Sequence, residues 1–212
     1  MTLDGRVAAL SGDSRWVSGG AARILVHHWR DQFDAIAVGS GTVLADDPEL
    51  TTRGLPAGRH PRPVIFDRRG RIPGTARALR PGAVIITGPD TDARHLERED
   101  LHLLRAGDLS QALSGLGELG ITSLLLEGGA TLAGALLAAE LIDEVRVFVA
   151  PRLLGAGLSP LAAPAPTHMS QAQNLTDVTF APVGADVLMQ GLLHAVPQFS
   201  RPSLTAASFK GA

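Results

Sequence analysis

The sequence predicts an α/β protein with a mainly parallel central sheet covered on both faces. Three observations carry this. Short apolar runs, several nearly continuous in Val, Ile and Leu, have the composition of strands buried on both sides. Helical patterns lie between those runs, and strands alternating with helices give a parallel sheet. Two stretches pass from an apolar run through glycine into a helix: Asp34-Ala35-Ile36-Ala37-Val38-Gly39-Ser40-Gly41-Thr42-Val43-Leu44-Ala45-Asp46-Asp47-Pro48, and Leu124-Leu125-Leu126-Glu127-Gly128-Gly129-Ala130-Thr131-Leu132-Ala133-Gly134. At such junctions exposed backbone N–H groups can meet a phosphate or another anion.

In chain order, Ser18 is placed to cap a helix over residues 21–30. Strands are expected at 35–38, 64–66, 83–87 and 101–104. A helix over 110–119 follows Asp108, a strand over 123–126 comes next, and 131–139 is rich in strong helix formers. The runs 145–149 and 187–193 have no clear helix between them, so an antiparallel strand or hairpin is expected there. Residues 155–173, rich in Ala, Pro and Gly, read as a long loop, and the tail from 197 onward lacks periodicity and reads as disordered. Length and the absence of a composition shift suit one domain over 1–196.

Composition narrows the function. Hydrophobic residues make up 45% of the 212 and aromatics 4%, with no tyrosine, so Ala, Val, Leu and Ile build the core. A net charge of −2 argues against general nucleic-acid binding. No cysteine occurs, which removes disulfides, thiolate metal sites and cysteine nucleophiles. The apolar runs are too short and too broken for a membrane span or signal peptide. The expected setting is the cytoplasm.

Several side chains could carry chemistry. Glu127 can accept N–H bonds from a bound heterocycle, or sit as a structural carboxylate against the helix dipole. Gly128, Gly129 and Ala130 clear a helix entrance for a pyrophosphate, or pack tightly on the strand. Arg23, His27 and Arg30 form a basic stripe at helical spacing, for a ligand or for solvent. Arg53, after the Asp-Asp-Pro turn, could grip a phosphate. Arg68, Arg69 and Arg71 cluster after the 64–67 run and suit the 2′-phosphate of NADPH, unless they are only a surface turn. Asp67 reads as the turn-forming end of its strand. The Gly-x-Gly-x-x-Gly dinucleotide spacing does not follow a first strand, the seven histidines show no metal pattern, and Ser11, Ser14 and Ser18 lack a nucleophile elbow.

Taken together, these segments resemble the reductase domain of riboflavin biosynthesis, the C-terminal half of the bacterial bifunctional pyrimidine deaminase/reductase. Met1-Thr2-Leu3-Asp4-Gly5, Gly12-Asp13-Ser14-Arg15-Trp16-Val17-Ser18, and the run from Gly41 through Asp46-Asp47-Pro48 to Leu50-Thr51 and Arg53 carry the likeness. So do Glu127-Gly128-Gly129, Leu141-Ile142-Asp143-Glu144, Ala150-Pro151, Leu153-Leu154-Gly155 and Val183-Gly184 with Asp186-Val187. The match runs over residues 1–194. It implies a dihydrofolate-reductase-like, three-layer αβα fold, a homodimer, and NADPH-dependent reduction of a ribosylamino pyrimidine phosphate to its ribitylamino product. The substrate it implies is 5-amino-6-(5-phosphoribosylamino)uracil or its diaminopyrimidinone counterpart. In the chemistry this implies, the sugar opens and its C1′ is reduced. By the same resemblance Trp16, Thr42, Asp46 and the helix entrance from Gly129, Ala130, Thr131 and Leu132 to residue 135 would hold NADPH; the arginine cluster, read from the residues themselves, adds Arg68 at its 2′-phosphate. Ser14, Arg30, Leu50, Arg53 and Glu127 hold the substrate, the arginines and Ser14 near its phosphate and Glu127 near the pyrimidine. No residue is assigned as a general acid, and no metal is implied.

Two departures bear on these expectations. The zinc-binding deaminase half of the family is not in this sequence, so deamination is not expected of it. The family also carries a strand with a Lys-x-Ala element just before its Met-Ser-Leu-Asp-Gly, and this sequence begins at Met1. The alternatives are a dihydrofolate-reductase-like oxidoreductase with another small substrate, and a non-catalytic nucleotide-binding protein.

Overall fold

The computed structural model describes residues 1–55, 58–163 and 166–194; the tail expected to be disordered lies outside the described residues. The helices are α1 (Gly20–Gln32), α2 (Ser40–Asp46), α3 (Leu109–Glu118) and α4 (Ala130–Ala138). The strands are β1 (Ala35–Gly39), β2 (Arg62–Phe66), β3 (Val84–Thr87), β4 (His102–Arg105), β5 (Leu124–Leu126), β6 (Glu144–Val149), β7 (Thr176–Val183) and β8 (Asp186–Leu192). The described residues group into two compact units. One comprises Met1–Ile24, Glu140–Pro160 and 166–194, the other Leu25–Ala139 and Leu161–Ala163.

The second unit holds a five-stranded sheet in the order β4-β3-β2-β1-β5, every neighbouring pair parallel. Period-two alternation divides its side chains between two cores. Ile36, Val38, Ile65 and Ile85 pack with Val43, Leu50, Ile72, Leu79, Leu96 and Leu101. Ala35, Ala37, Val64, Val84 and Ile86 pack with Ala112 and Leu116 of α3 and with Ile121. Central strands are buried on both faces, as their Val/Ile composition predicts; the edge strands β4 and β5 are only half-buried. One face is thus closed by α3. The other is closed by Val43 of the short α2 and by turns between Ile72 and Leu101. Gly115 lets α3 approach β4, since a Cβ there would lie 2.7 Å from Leu104 Cδ1. Asp108 caps α3, its Oδ1 accepting the Gln111 N–H at 2.8 Å.

The first unit holds a separate antiparallel sheet, β6-β8-β7. The expected antiparallel ending is there, but it contains a strand the apolar runs did not locate. β7 is exposed along most of its length, carries Pro182, and is irregular between Thr176 and Thr179. An edge strand tolerates proline and needs no continuous apolar run. Gly184 turns β7 into β8 at φ +63°, the positive value that tight hairpin turns require.

The start of α1 corrects one expectation. The helix opens at Gly20, and the side chain at its entrance belongs to Asp186 rather than Ser18. Asp186, 3% exposed, accepts the Gly19 N–H at 2.7 Å. Ser18 instead gives its carbonyl to Arg23 Nη1 at 3.0 Å. A carboxylate suits that position, because it accepts the Gly19 N–H and stands at the positive end of the helix dipole.

Candidate functional site

In an open parallel sheet, ligands meet the loops at the carboxyl ends of the strands. The two glycine junctions lie there, at the ends of the hydrogen-bonded neighbours β1 and β5. Gly39 passes directly into α2, and Glu127-Gly128-Gly129 passes into α4. Gly128 and Gly129 sit at φ +72° and +85°, where a side chain would be strained. The junctions touch: a Cβ on Gly129 would lie 3.6 Å from Thr42 Oγ1 and 3.7 Å from Gly39 N, and one on Gly39 would lie 3.7 Å from Leu132 Cβ. Neither helix start is closed by a side-chain cap. Thr42, Gly129, Ala130, Thr131 and Leu132 therefore form one group, with Asp46 exposed at the end of α2, one turn beyond Thr42.

Arg30 and Glu127 are joined to each other. Arg30 Nε donates to Glu127 Oε1 at 2.7 Å and its Nη2 to Oε2, while Nη1 donates to the Thr51 carbonyl at 2.8 Å. Arg53 lies near the same helix: its main-chain N–H donates to His27 Nδ1 at 3.2 Å, and its guanidinium pairs with Glu49 at 2.6 Å. Glu49 also pairs with Arg77. Burial, then the Arg30 charge, pushes the His27 imidazolium below its ordinary pKa, with Arg53 and His28 acting the same way and Glu127 opposing. Leu50, at φ +52°, turns its side chain into the core at 4% exposure, so any contact it makes with a substrate falls to its backbone.

The arginine cluster divides. Arg68 and Arg69, with Gly88, Pro89, Asp90 and Thr91, line a concavity of ≈ 580 Å³ beyond the ends of β2 and β3. Arg71 turns away and donates to Ser40 Oγ at 2.7 Å. Asp67 is fully buried and shapes the turn, accepting the Ile72 N–H at 2.8 Å on Oδ2. The turn-forming reading of Asp67 agrees with this.

Ser14 and Trp16 belong to the other unit. Ser14 is exposed, and its carbonyl accepts the Val17 N–H at 3.1 Å. Trp16 is 61% exposed, and the Arg23 guanidinium carbon lies 4.6 Å from its ring centroid. The basic stripe on α1 is therefore more than solvated: Arg23, His27 and Arg30 each have a defined partner.

Asp4 explains part of the N-terminal motif. It accepts N–H bonds from Leu154 and Gly155 and a hydroxyl bond from Thr2 at 2.6 Å. The Thr2 hydroxyl first, then the Gly155 N–H, holds its carboxyl at about 2. Sequence reasoning missed the pairing of His27 with Arg53, the bridging Glu49 and the cap from Asp186. Only the three-residue spacing of His27 and Arg30 hinted at the first.

Residues 1–189 match the family model described as the RibD C-terminal domain. The chain is 32% identical over 203 residues to the riboflavin biosynthesis protein RibD of Bacillus amyloliquefaciens, covering 90% of this chain and 55% of that protein. It is 39% identical over 165 residues to the 2,5-diamino-6-ribosylamino-4(3H)-pyrimidinone 5′-phosphate reductase of Methanothermobacter thermautotrophicus, covering 73% and 76%. The solved structure of Acinetobacter baumannii RibD superposes with a TM-score of 0.79 at 34% identity, over 90% of this chain and 55% of that one. The chain thus spans about half the length of the RibD proteins it matches. On a match across nearly all its described residues, the chain belongs to the RibD C-terminal domain family.

Proposed function

We propose that the chain is an NADPH-dependent reductase acting on a phosphoribosylamino pyrimidine in riboflavin biosynthesis. The observation that carries this is the pair of touching glycine junctions at the carboxyl ends of β1 and β5, with the Arg30–Glu127 ion pair at one of them. The residues fit the cofactor: α4 starts without a side-chain cap, and Arg68 and Arg69 line a concavity suited to a phosphate. Thr42, Asp46, Gly129, Ala130, Thr131, Leu132 and Arg68 would hold it. When bound, NADPH supplies a hydride.

The remaining work of the chain is binding and orientation. Glu127 and Arg30 neutralise each other, which leaves Glu127 fixed as an acceptor beside the glycines. Arg53, 61% exposed at its side chain, is the cation offered to the substrate's phosphate. The Leu50 backbone adds an expected contact from the same unit. Holding two reactants in register contributes up to ~7–11 kcal/mol in well-aligned reactions. The protein acts as a homodimer in the cytoplasm. Support for the dimer comes from Val178, Phe180 and Val187, exposed on one face of the antiparallel sheet, with Phe180 68% exposed. The deciding experiment follows NADPH absorbance with the ribosylaminopyrimidine phosphate, in its aminated and deaminated forms. Turnover of one of them is expected; a folded sample that consumes NADPH with neither sinks the reading.

A further inference from the structure

Residues 51–55, which carry Arg53, have no regular secondary structure and depend on point contacts. Two of these come from one helix. Arg30 Nη1 takes the Thr51 carbonyl at 2.8 Å, and His27, one turn earlier on α1, takes the Arg53 N–H at 3.2 Å. Side chains three apart on a helix lie on one face. They grip the segment two residues apart, at 51 and 53.

We propose that His27 is a positioning residue for the substrate's phosphate: its Nδ1 holds the Arg53 main chain and thereby sets where the Arg53 guanidinium stands. This rests on the reading of Arg53 as a phosphate contact. An Nδ1 that accepts carries no proton, so the imidazole is neutral and its remaining proton is on Nε2. The charged groups around it are Arg30 and His28 on its own helix, Glu127 after β5 and Arg53 itself, and three of the four disfavour a charged imidazole. Protonation removes the acceptor and sets a cation against Arg30 and Arg53. Substrate affinity therefore falls on the acid side, through the lowered pKa of His27.

The test is steady-state kinetics with NADPH and the ribosylaminopyrimidine phosphate on wild type, His27→Leu, His27→Asn and Arg53→Ala. The Asn Oδ1 replaces the Nδ1 acceptor but does not titrate. His27→Leu should raise KM for the pyrimidine about fivefold, the factor expected for one lost hydrogen bond, with kcat and KM for NADPH unchanged. His27→Asn should restore KM to within about twofold and flatten its rise in acid relative to wild type. The inference is overturned if His27→Leu leaves KM unchanged while Arg53→Ala raises it, or if His27→Asn keeps the wild-type acid profile; the proposed function then stands. An Arg53→Ala variant with wild-type KM removes both the phosphate role of Arg53 and the inference built on it. If wild type does not turn the pyrimidine over, the proposed function falls. Amide exchange at Arg53 then decides the contact by itself: slow in wild type and His27→Asn but fast in His27→Leu supports it, and equal rates overturn it.

Discussion

Arg30 and Glu127, 97 positions apart, meet through two parallel hydrogen bonds on the carboxyl side of the parallel sheet, Nε to Oε1 at 2.7 Å and Nη2 to Oε2. Both side chains are about one-fifth exposed. The planar fork of arginine matches the carboxylate, which lysine cannot do. Glu127 ends up paired and immobile, a combination suited to orienting a heterocycle.

Removing one partner leaves the other mostly buried without its counter-charge. Glu127→Ala should lower stability by about 1.5–3 kcal/mol, the range for a hydrogen bond to a charged group. The double variant Arg30→Ala, Glu127→Ala should cost less than the sum of the singles, by about 0.5 kcal/mol or more. Urea unfolding of the four proteins measures this, and additive losses would show that the pair is not coupled.

Asp186 links the hairpin turn between β7 and β8 to the entrance of α1 through the Gly19 N–H. Asp186→Ala removes a helix-entrance acceptor and should cost about 1–2 kcal/mol. Asp186→Asn keeps an acceptor but loses the charge, so a smaller loss is expected. Thermal melting of both variants checks the order, and equal losses would show that the dipole interaction is the whole effect.

Asp4 makes the local structure pH-dependent. Its carboxyl is held at about 2, below the ordinary 3.8, first by the Thr2 hydroxyl and then by the Gly155 N–H. A depressed carboxylate contributes fully above the unfolded value, and its contribution is lost as pH falls toward the folded one. The amide signals of Leu154 and Gly155 should therefore titrate together with a midpoint near 2. A midpoint near 4, the value for an unperturbed Asp, would break the link between Asp4 and that loop.

The parallel sheet was legible because its central strands are buried on both faces and so are written in Val, Ile and Leu. β7 was not: it is an edge strand whose exposed face needs no such pattern, and Pro182 within it reads as a breaker. The glycine junctions were legible because the residues that make each are contiguous. The partners of the charged residues were not, because His27–Arg53, Arg30–Glu127 and Gly19–Asp186 join positions 26, 97 and 167 apart. Residue type can announce that a guanidinium wants a partner. Only the fold says which carboxylate it receives. The arginine cluster shows the same limit, since Arg68 and Arg69 line a concavity while Arg71 is drawn to Ser40.

That division sharpens the cofactor prediction. A dianionic 2′-phosphate is best met by guanidinium donors, and Arg68 and Arg69 stand at the lining of the concavity after β2 and β3. The ribose-binding carboxylate typical of NADH sites has no equivalent in Asp67, which is fully buried with Oδ2 committed to the Ile72 N–H. The double variant Arg68→Ala, Arg69→Ala should raise KM for NADPH by about tenfold or more, with a much smaller change for NADH, since two charge-assisted contacts are lost with one cofactor alone. Arg71→Ala serves as the contrast: it breaks the bond to Ser40 at the start of α2 and should affect both cofactors alike. Equal changes for NADPH and NADH in the double variant would reduce the Arg68–Arg69 turn to a solvated surface.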